Sequence, residues 1–157
     1  MKSIIKAVAA VAILAASGGV AAAQDYTLPS NYGSVRLQAG FTPDPYNINM
    51  SSGGSINAAN AIGGSCRGYI SNAPDFEVTF TAGSLPLIIS VNSGADTTLV
   101  VNGPDGRWYC DDDGGEGLNP SLRFGQPMSG TYDIWVGTYG SSSLQPATLS
   151  ISELYSY

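Results

Sequence analysis

The chain has 157 residues, of which 43% are hydrophobic and only 11% charged, and its twelve acids against six basic residues give a net charge of −6. It contains no histidine, which excludes Ser-His-Asp and Cys-His nucleophile systems and the usual histidine-bearing zinc sites. Its acidity excludes nucleic-acid binding by phosphate neutralisation and disfavours anionic membranes, so cationic partners, metal ions among them, are the better electrostatic match.

Lys2 and Lys6 precede an apolar run over 7–16, and Ala21, Ala22 and Ala23 lead into Gln24. This pattern predicts a secretory signal peptide over 1–23, cleaved after Ala23, in a bacterial protein that is secreted or periplasmic. Cleavage removes both lysines and leaves 134 residues with four arginines and a net charge of −8, a length that suits one domain with a proper core and no membrane insertion. Residues 24–33 read as a loose leader and 34–157 as a single domain. The stretch SSGGSINAANAIGGS over 51–65 is small and polar and reads as a long loop ending at Cys66. Cys66 and Cys110 are the only cysteines, and in an oxidising compartment an even count predicts a bridge. Closing so long a loop stabilises by about 4 kcal/mol on the chain-entropy argument.

Beyond Cys66 the signal is alternation with period two, with no helical period. Phe76, Val78 and Phe80 alternate with Glu77, Thr79 and Thr81; Tyr132, Ile134 and Val136 alternate with Thr131, Asp133 and Trp135; Leu149 and Ile151 alternate with Thr148, Ser150 and Ser152. Half-buried strands explain this. The runs 86–92 and 97–102 are more continuously apolar, as strands covered on both faces would be. Turn residues such as Asn92-Ser93-Gly94, Asn102-Gly103-Pro104-Asp105-Gly106 and Met128-Ser129-Gly130 separate the runs. The expected fold is therefore all-β: an antiparallel, jelly-roll-like β-sandwich with one disulfide.

One stretch departs from the weakly charged background: WYCDDDGGEG over 108–117. Adjacent carboxylates repel, and a cation would offset the repulsion. Calcium takes several hard oxygen ligands on a flexible loop. Asp111, Asp112, Asp113 and Glu116 supply oxygens, and the glycines let the backbone turn inward. In an extended segment Asp111 and Asp113 share a face, which makes them the better ligand candidates. The spacing is not that of an EF-hand, and a solvated acidic turn is the competing reading. Two enzyme readings survive the absence of histidine. Asp96-Thr97-Thr98 has threonine where an aspartic protease needs glycine, so it reads as a turn entering a strand. Asp112 or Glu116 could belong to a glycosidase carboxylate pair, but acids on a glycine-rich turn are poorly positioned for it.

From Pro74 onward the order of features resembles the bacterial pre-peptidase C-terminal domain. The matching pieces are Asp75-Phe76-Glu77-Val78, Ala82-Gly83, Leu87-Ile88-Ile89-Ser90-Val91, Asp96-Thr97-Thr98-Leu99-Val100-Val101 and the Pro104-Asp105-Gly106 turn. Cys110-Asp111-Asp112-Asp113, Asn119-Pro120-Ser121-Leu122 and Ser129 to Gly137 follow in the same order. The likeness covers 74–154; residues 34–70, Cys66 included, lie outside it. It implies a noncatalytic accessory domain, calcium-binding in several relatives, with Asp111 to Asp113 matching the family's acidic turn and Asp96 an acid at a strand start.

The expected function is a noncatalytic, calcium-binding module that contacts a polysaccharide or protein target. Trp108, Tyr109, Trp135 and Tyr139 are the candidates for an exposed aromatic platform, Trp135 because it falls on the polar phase of its strand. The alternatives are a self-associating envelope protein, with a Ser- and Thr-rich strand edge near the C-terminus, and a carboxylate-dependent hydrolase.

Overall fold

Period-two alternation in the sequence becomes two stacked sheets. The computed structural model describes residues 24–157, so the expected signal peptide lies outside the described residues. In chain order the strands are β1 (Ser34–Gln38), β2 (Tyr46–Ser52), β3 (Ile56–Asn57), β4 (Tyr69–Ile70), β5 (Phe76–Thr81), β6 (Leu87–Ser93), β7 (Thr97–Asn102), β8 (Trp108–Asp111), β9 (Ser121–Phe124), β10 (Gly130–Thr138) and β11 (Gln145–Ser152). A single-turn helix, α1 (Ala58–Ala61), follows β3 and is capped by the Asn57 side chain.

Strand β10 organises the larger sheet. It pairs with β5 over Gly130–Ile134 and with β7 over Asp133–Thr138, so that Ile134 lies between Phe76 and Val101. Strand β8 extends the sheet beyond β7, while β4 and β3 extend it from the end of β10 at Thr138. The smaller sheet has the order β2-β11-β6-β9. Pairing is antiparallel except between β1 and β5, which run parallel. The chain crosses to the smaller sheet and back between these two strands, so it enters both from the same end.

The apolar phases of the two sheets meet in one core. Phe76, Val78, Phe80, Leu99, Val101, Tyr132, Ile134 and Val136 face Leu87, Ile89, Val91, Leu149 and Ile151. Burying one such aliphatic side chain contributes about 1.5–3 kcal/mol.

The outer face of the larger sheet is where the sequence reading needs correction. Trp135 lies on the outward phase, as expected, but it is completely buried. The segment 53–72 folds over it, and Ala58, Cys66 and Ile70 pack on Val100 and Trp135 as a second, smaller core. The Cys66–Cys110 disulfide pins this cover to β8, and Trp108 packs on Trp135 with ring centroids 5.3 Å apart. The cover approaches the sheet closely because Gly68 and Gly137 carry no side chain: a Cβ on either would collide with Thr98. The stretch 51–65 is thus a structured lid holding the end of β2, β3 and α1 rather than a long loop. The lid also covers the outward residues Thr98 and Val100 of β7, whose inward residues face the core.

Two further expectations change. Residues 24–33 are not a loose leader. The amides of Asn31 and Tyr32 donate to the carbonyls of Pro74 and Asp75 at 2.8 Å, the Asn31 side chain donates to Asp75, and Gln24 is buried beside Ser71. The strand near the C-terminus, β11, is not an edge, because β2 and β6 pair along both its sides. That removes the feature which pointed to self-association.

Candidate functional site

Asp111 closes β8 and is half-buried. Its Oδ2 accepts the amides of Gly114 at 2.7 Å and Ser121 at 2.8 Å, so it caps the acidic turn and clasps β8 to β9 of the opposite sheet. Asp113 and Glu116 are exposed and Asp112 is half-buried. Asp96, just before β7, is near enough to this turn to respond to it: partial burial, then Asp113, then Asp112 hold its carboxyl above the ordinary range. Among the described residues, however, no three Asp, Glu, Cys or His side chains converge to hold a metal ion. The arrangement does not fit a formed calcium cage. The best-placed acid spends an oxygen on two backbone donors, and the others would have to rearrange to share a cation.

The four aromatics do not form a platform. Trp135 is buried, and Trp108 packs on it from the outer face of β8. Tyr109 faces the opposite way, with its ring edge-on to Phe124 at 5.0 Å. Its hydroxyl donates to Asp105 at 2.7 Å, which lowers the Asp105 carboxyl and raises the phenol. Tyr139 alone is well exposed, on the loop after β10.

The structure instead draws attention to acids that sequence reasoning left among strand residues. Asp75 is buried at the start of β5. Its Oδ2 accepts the Val136 amide at 2.8 Å, and its Oδ1 accepts from Asn31 at 3.0 Å and Ser71 at 3.1 Å. Burial pushes this carboxyl up to about 6 against the lowering effect of those bonds. With both oxygens engaged in three hydrogen bonds inside the fold, Asp75 ties the 24–33 segment to the sheet and is structural.

Asp133 is different. It lies on the outward phase of β10, directly opposite Glu77 of β5 on one side and Asn102, the last residue of β7, on the other. The residue as a whole is 7% exposed, its carboxylate oxygens still reach the groove, and among the described residues no group donates a hydrogen bond to them. Burial first, and the Glu77 carboxylate second, push it up to about 6. The 53–72 lid covers the Trp135 end of the outer face and stops short of this row. The remainder is a groove of about 490 Å³ between the 24–33 segment and the β7–β8 turn, whose lining includes Glu77, Asn102, Thr131, Asp133, Thr27 and Tyr26. Tyr26 is held on a turn by the Asp25 carboxylate, which accepts the Thr27 amide and hydroxyl, and it is 53% exposed at the rim.

Like charges directly opposite on neighbouring strands are destabilising, and no basic side chain among the described residues forms an ion pair with either acid. The one ion pair among the described residues is Arg107 with Asp105, at 3.6 Å. Arg36, on the outward phase of β1, pairs with no acid. The groove thus holds two facing carboxylates, an amide and hydroxyls, with an aromatic ring at its edge.

No protein-family model matches the chain. An uncharacterized protein of Synechococcus elongatus is 34% identical over 124 residues, spanning 76% of this chain and 82% of its own length. Among solved structures, the pre-peptidase C-terminal domain of a Bacillus anthracis collagenase superposes with a TM-score of 0.47 at 17% identity, over 80% of this chain and 98% of that one. PliG, a periplasmic inhibitor of g-type lysozyme from Aeromonas hydrophila, gives 0.43 at 14% identity over 76% and 96%. CorA, a surface-associated copper-binding protein from Methylomicrobium album BG8, gives 0.42 at 11% identity over 78% and 98%. The pre-peptidase C-terminal fold expected for 74–154 is among these likenesses.

Proposed function

We propose that this chain, which belongs to the same family as the Synechococcus elongatus protein, is a noncatalytic binding module that works outside the cytoplasm and holds a polymeric target in the groove of its larger sheet. The observation that carries this reading is Asp133: a carboxylate on the floor of an open groove, facing Glu77, with no hydrogen-bond donor from the described residues and its oxygens open to the groove. A carboxylate that no internal donor engages and that opens to a groove is free to accept from a ligand's N–H or O–H groups in place of water. The disulfide-pinned lid supports a location in an oxidising compartment. Calcium is no part of this reading, since the acidic turn is already organised by Asp111 and the backbone.

The pair also favours one second reading. Glu77 and Asp133 are the two carboxylates that could act as base and acid in a hydrolase, whereas Asp112 and Glu116 sit on an exposed turn. A panel of immobilised polymers, including peptidoglycan, cellulose, gelatin and polylysine, separates these readings. Retention of the intact protein on at least one polymer, abolished by the groove-filling substitution Thr131→Trp, is expected. Retention indifferent to Thr131→Trp removes the groove as the site. Release of soluble fragments that stops in Glu77→Gln establishes the hydrolase instead.

A further inference from the structure

Resting on the groove as the binding site, the structure assigns its occupant: we infer that it takes a cationic side chain, the guanidinium or ammonium group of a basic polypeptide, on the paired carboxylates of Glu77 and Asp133.

Three observations lead there. The two acids project from facing positions of β5 and β10 into the same groove. Side chains paired in this way lie about 5 Å apart at Cβ, a spacing that one planar guanidinium can bridge with its forked donors. Asp133 has its accessible oxygens directed at the groove with no internal donor, so a ligand bearing N–H groups satisfies it and one bearing only acceptors does not. Tyr26, half-exposed at the rim on its Asp25-bound turn, offers an aromatic face beside those carboxylates, the setting in which a cation also gains from the ring quadrupole.

The surroundings agree in sign. Asn102 contributes an amide oxygen from β7, and Thr131 and Thr27 contribute hydroxyls, all able to accept. The nearest basic groups of the chain do not fill the site: Arg107 is turned to Asp105, and Arg36 forms no ion pair. With twelve acids and no lysine beyond residue 6, the rest of the surface steers a basic partner inward and repels an acidic one. A divalent ion is the rival occupant, but it would find two carboxylates where hard cations gather more, and among the described residues no third acid converges on them.

The test uses an end-capped hexa-arginine peptide and its citrulline counterpart, which keeps the shape of each side chain and removes its charge. Isothermal titration of the purified protein at neutral pH should show binding of hexa-arginine and none of the citrulline peptide. Glu77→Gln and Asp133→Asn should each weaken it by about tenfold or more, the expected loss of one charge-assisted contact, with unfolding temperatures confirming that both variants are folded. Equal binding of the citrulline peptide, abolished by Thr131→Trp, would overturn the cationic occupant while leaving the groove as a binding site. Binding of hexa-arginine unaffected by either neutral variant would overturn it as well, as would tight manganese or calcium binding at the pair that the peptide fails to displace.

Discussion

Replacing Asp133 by asparagine exchanges a buried carboxylate for a neutral side chain of nearly the same shape, and the structure fixes both the sign and the pH range of the effect. In the fold the Asp133 carboxyl is pushed from 3.8 to about 6, so the folded chain holds that proton more tightly than the unfolded chain. Stability from this group is therefore complete below about pH 4, falls as pH rises to about 6, and stays at the lower level above it. A difference of about 2 pH units at about 1.4 kcal/mol each sets a ceiling near 3 kcal/mol. Because the groove admits water, the measured value should fall below that ceiling. The groups that face Asp133 are Glu77 from β5, Asn102 from β7, Arg36 farther out on β1, and the Arg107–Asp105 pair in the β7–β8 turn. None of them donates to it, so neutralising it leaves no partner orphaned. Asp75, also raised to about 6, titrates in parent and variant alike and cancels in the difference. Thermal unfolding at pH 8 should show Asp133→Asn melting several degrees above the parent, at about 2–8 °C per kcal/mol for a chain of this size, and at pH 4 the two should coincide. A variant that melts at or below the parent at pH 8 would refute the view of Asp133 as an unpaired charge kept at the expense of stability.

Other substitutions separate structural acids from the site. Asp75→Ala leaves the Val136 amide without its acceptor and frees the Asn31 side chain; it should destabilise by about 3 kcal/mol and speed hydrogen exchange at the amides of Asn31 and Tyr32. Asp111→Ala removes one acceptor from two amides and should lower stability by about 1–2 kcal/mol, by the same amount in millimolar calcium and in a chelator; a loss seen only with calcium would restore the metal reading of the turn. The double substitution Cys66→Ser with Cys110→Ser should destabilise by about 4 kcal/mol and shift tryptophan emission to the red as the lid over Trp135 loosens.

Strand placement was legible where alternation or turn residues marked it. The segments around 76–81, 87–92, 97–102, 131–136 and 148–152 all became strands, and the disulfide formed between the only two cysteines. The short strands β3, β4, β8 and β9 were not legible, because two to four residues carry no period. Trp135 and Asp133 show the limit most clearly. Both occupy the outward phase of one strand, and the sequence assigns that phase to solvent. Whether an outward residue is covered depends on what lies over the sheet, and here the 53–72 lid, most of which falls in the 51–65 stretch read as a polar loop, covers Trp135 and ends before Asp133. The pairing of Asp133 with Glu77 depends on register across 56 positions of chain, which alternation within a strand cannot reveal. The acidic run was conspicuous in sequence, and in the fold its Asp111 caps the turn, whereas the acids of the groove were single residues in ordinary strand patterns.

The most direct test is amide chemical-shift mapping of the protein titrated with the hexa-arginine peptide. The account predicts saturable shifts concentrated at Glu77, Asn102, Gly103, Thr131 and Asp133, with the peptide recovered intact. Shifts confined to the 111–117 turn or the loop around Tyr139, no shifts at all, or cleavage of the peptide would contradict it.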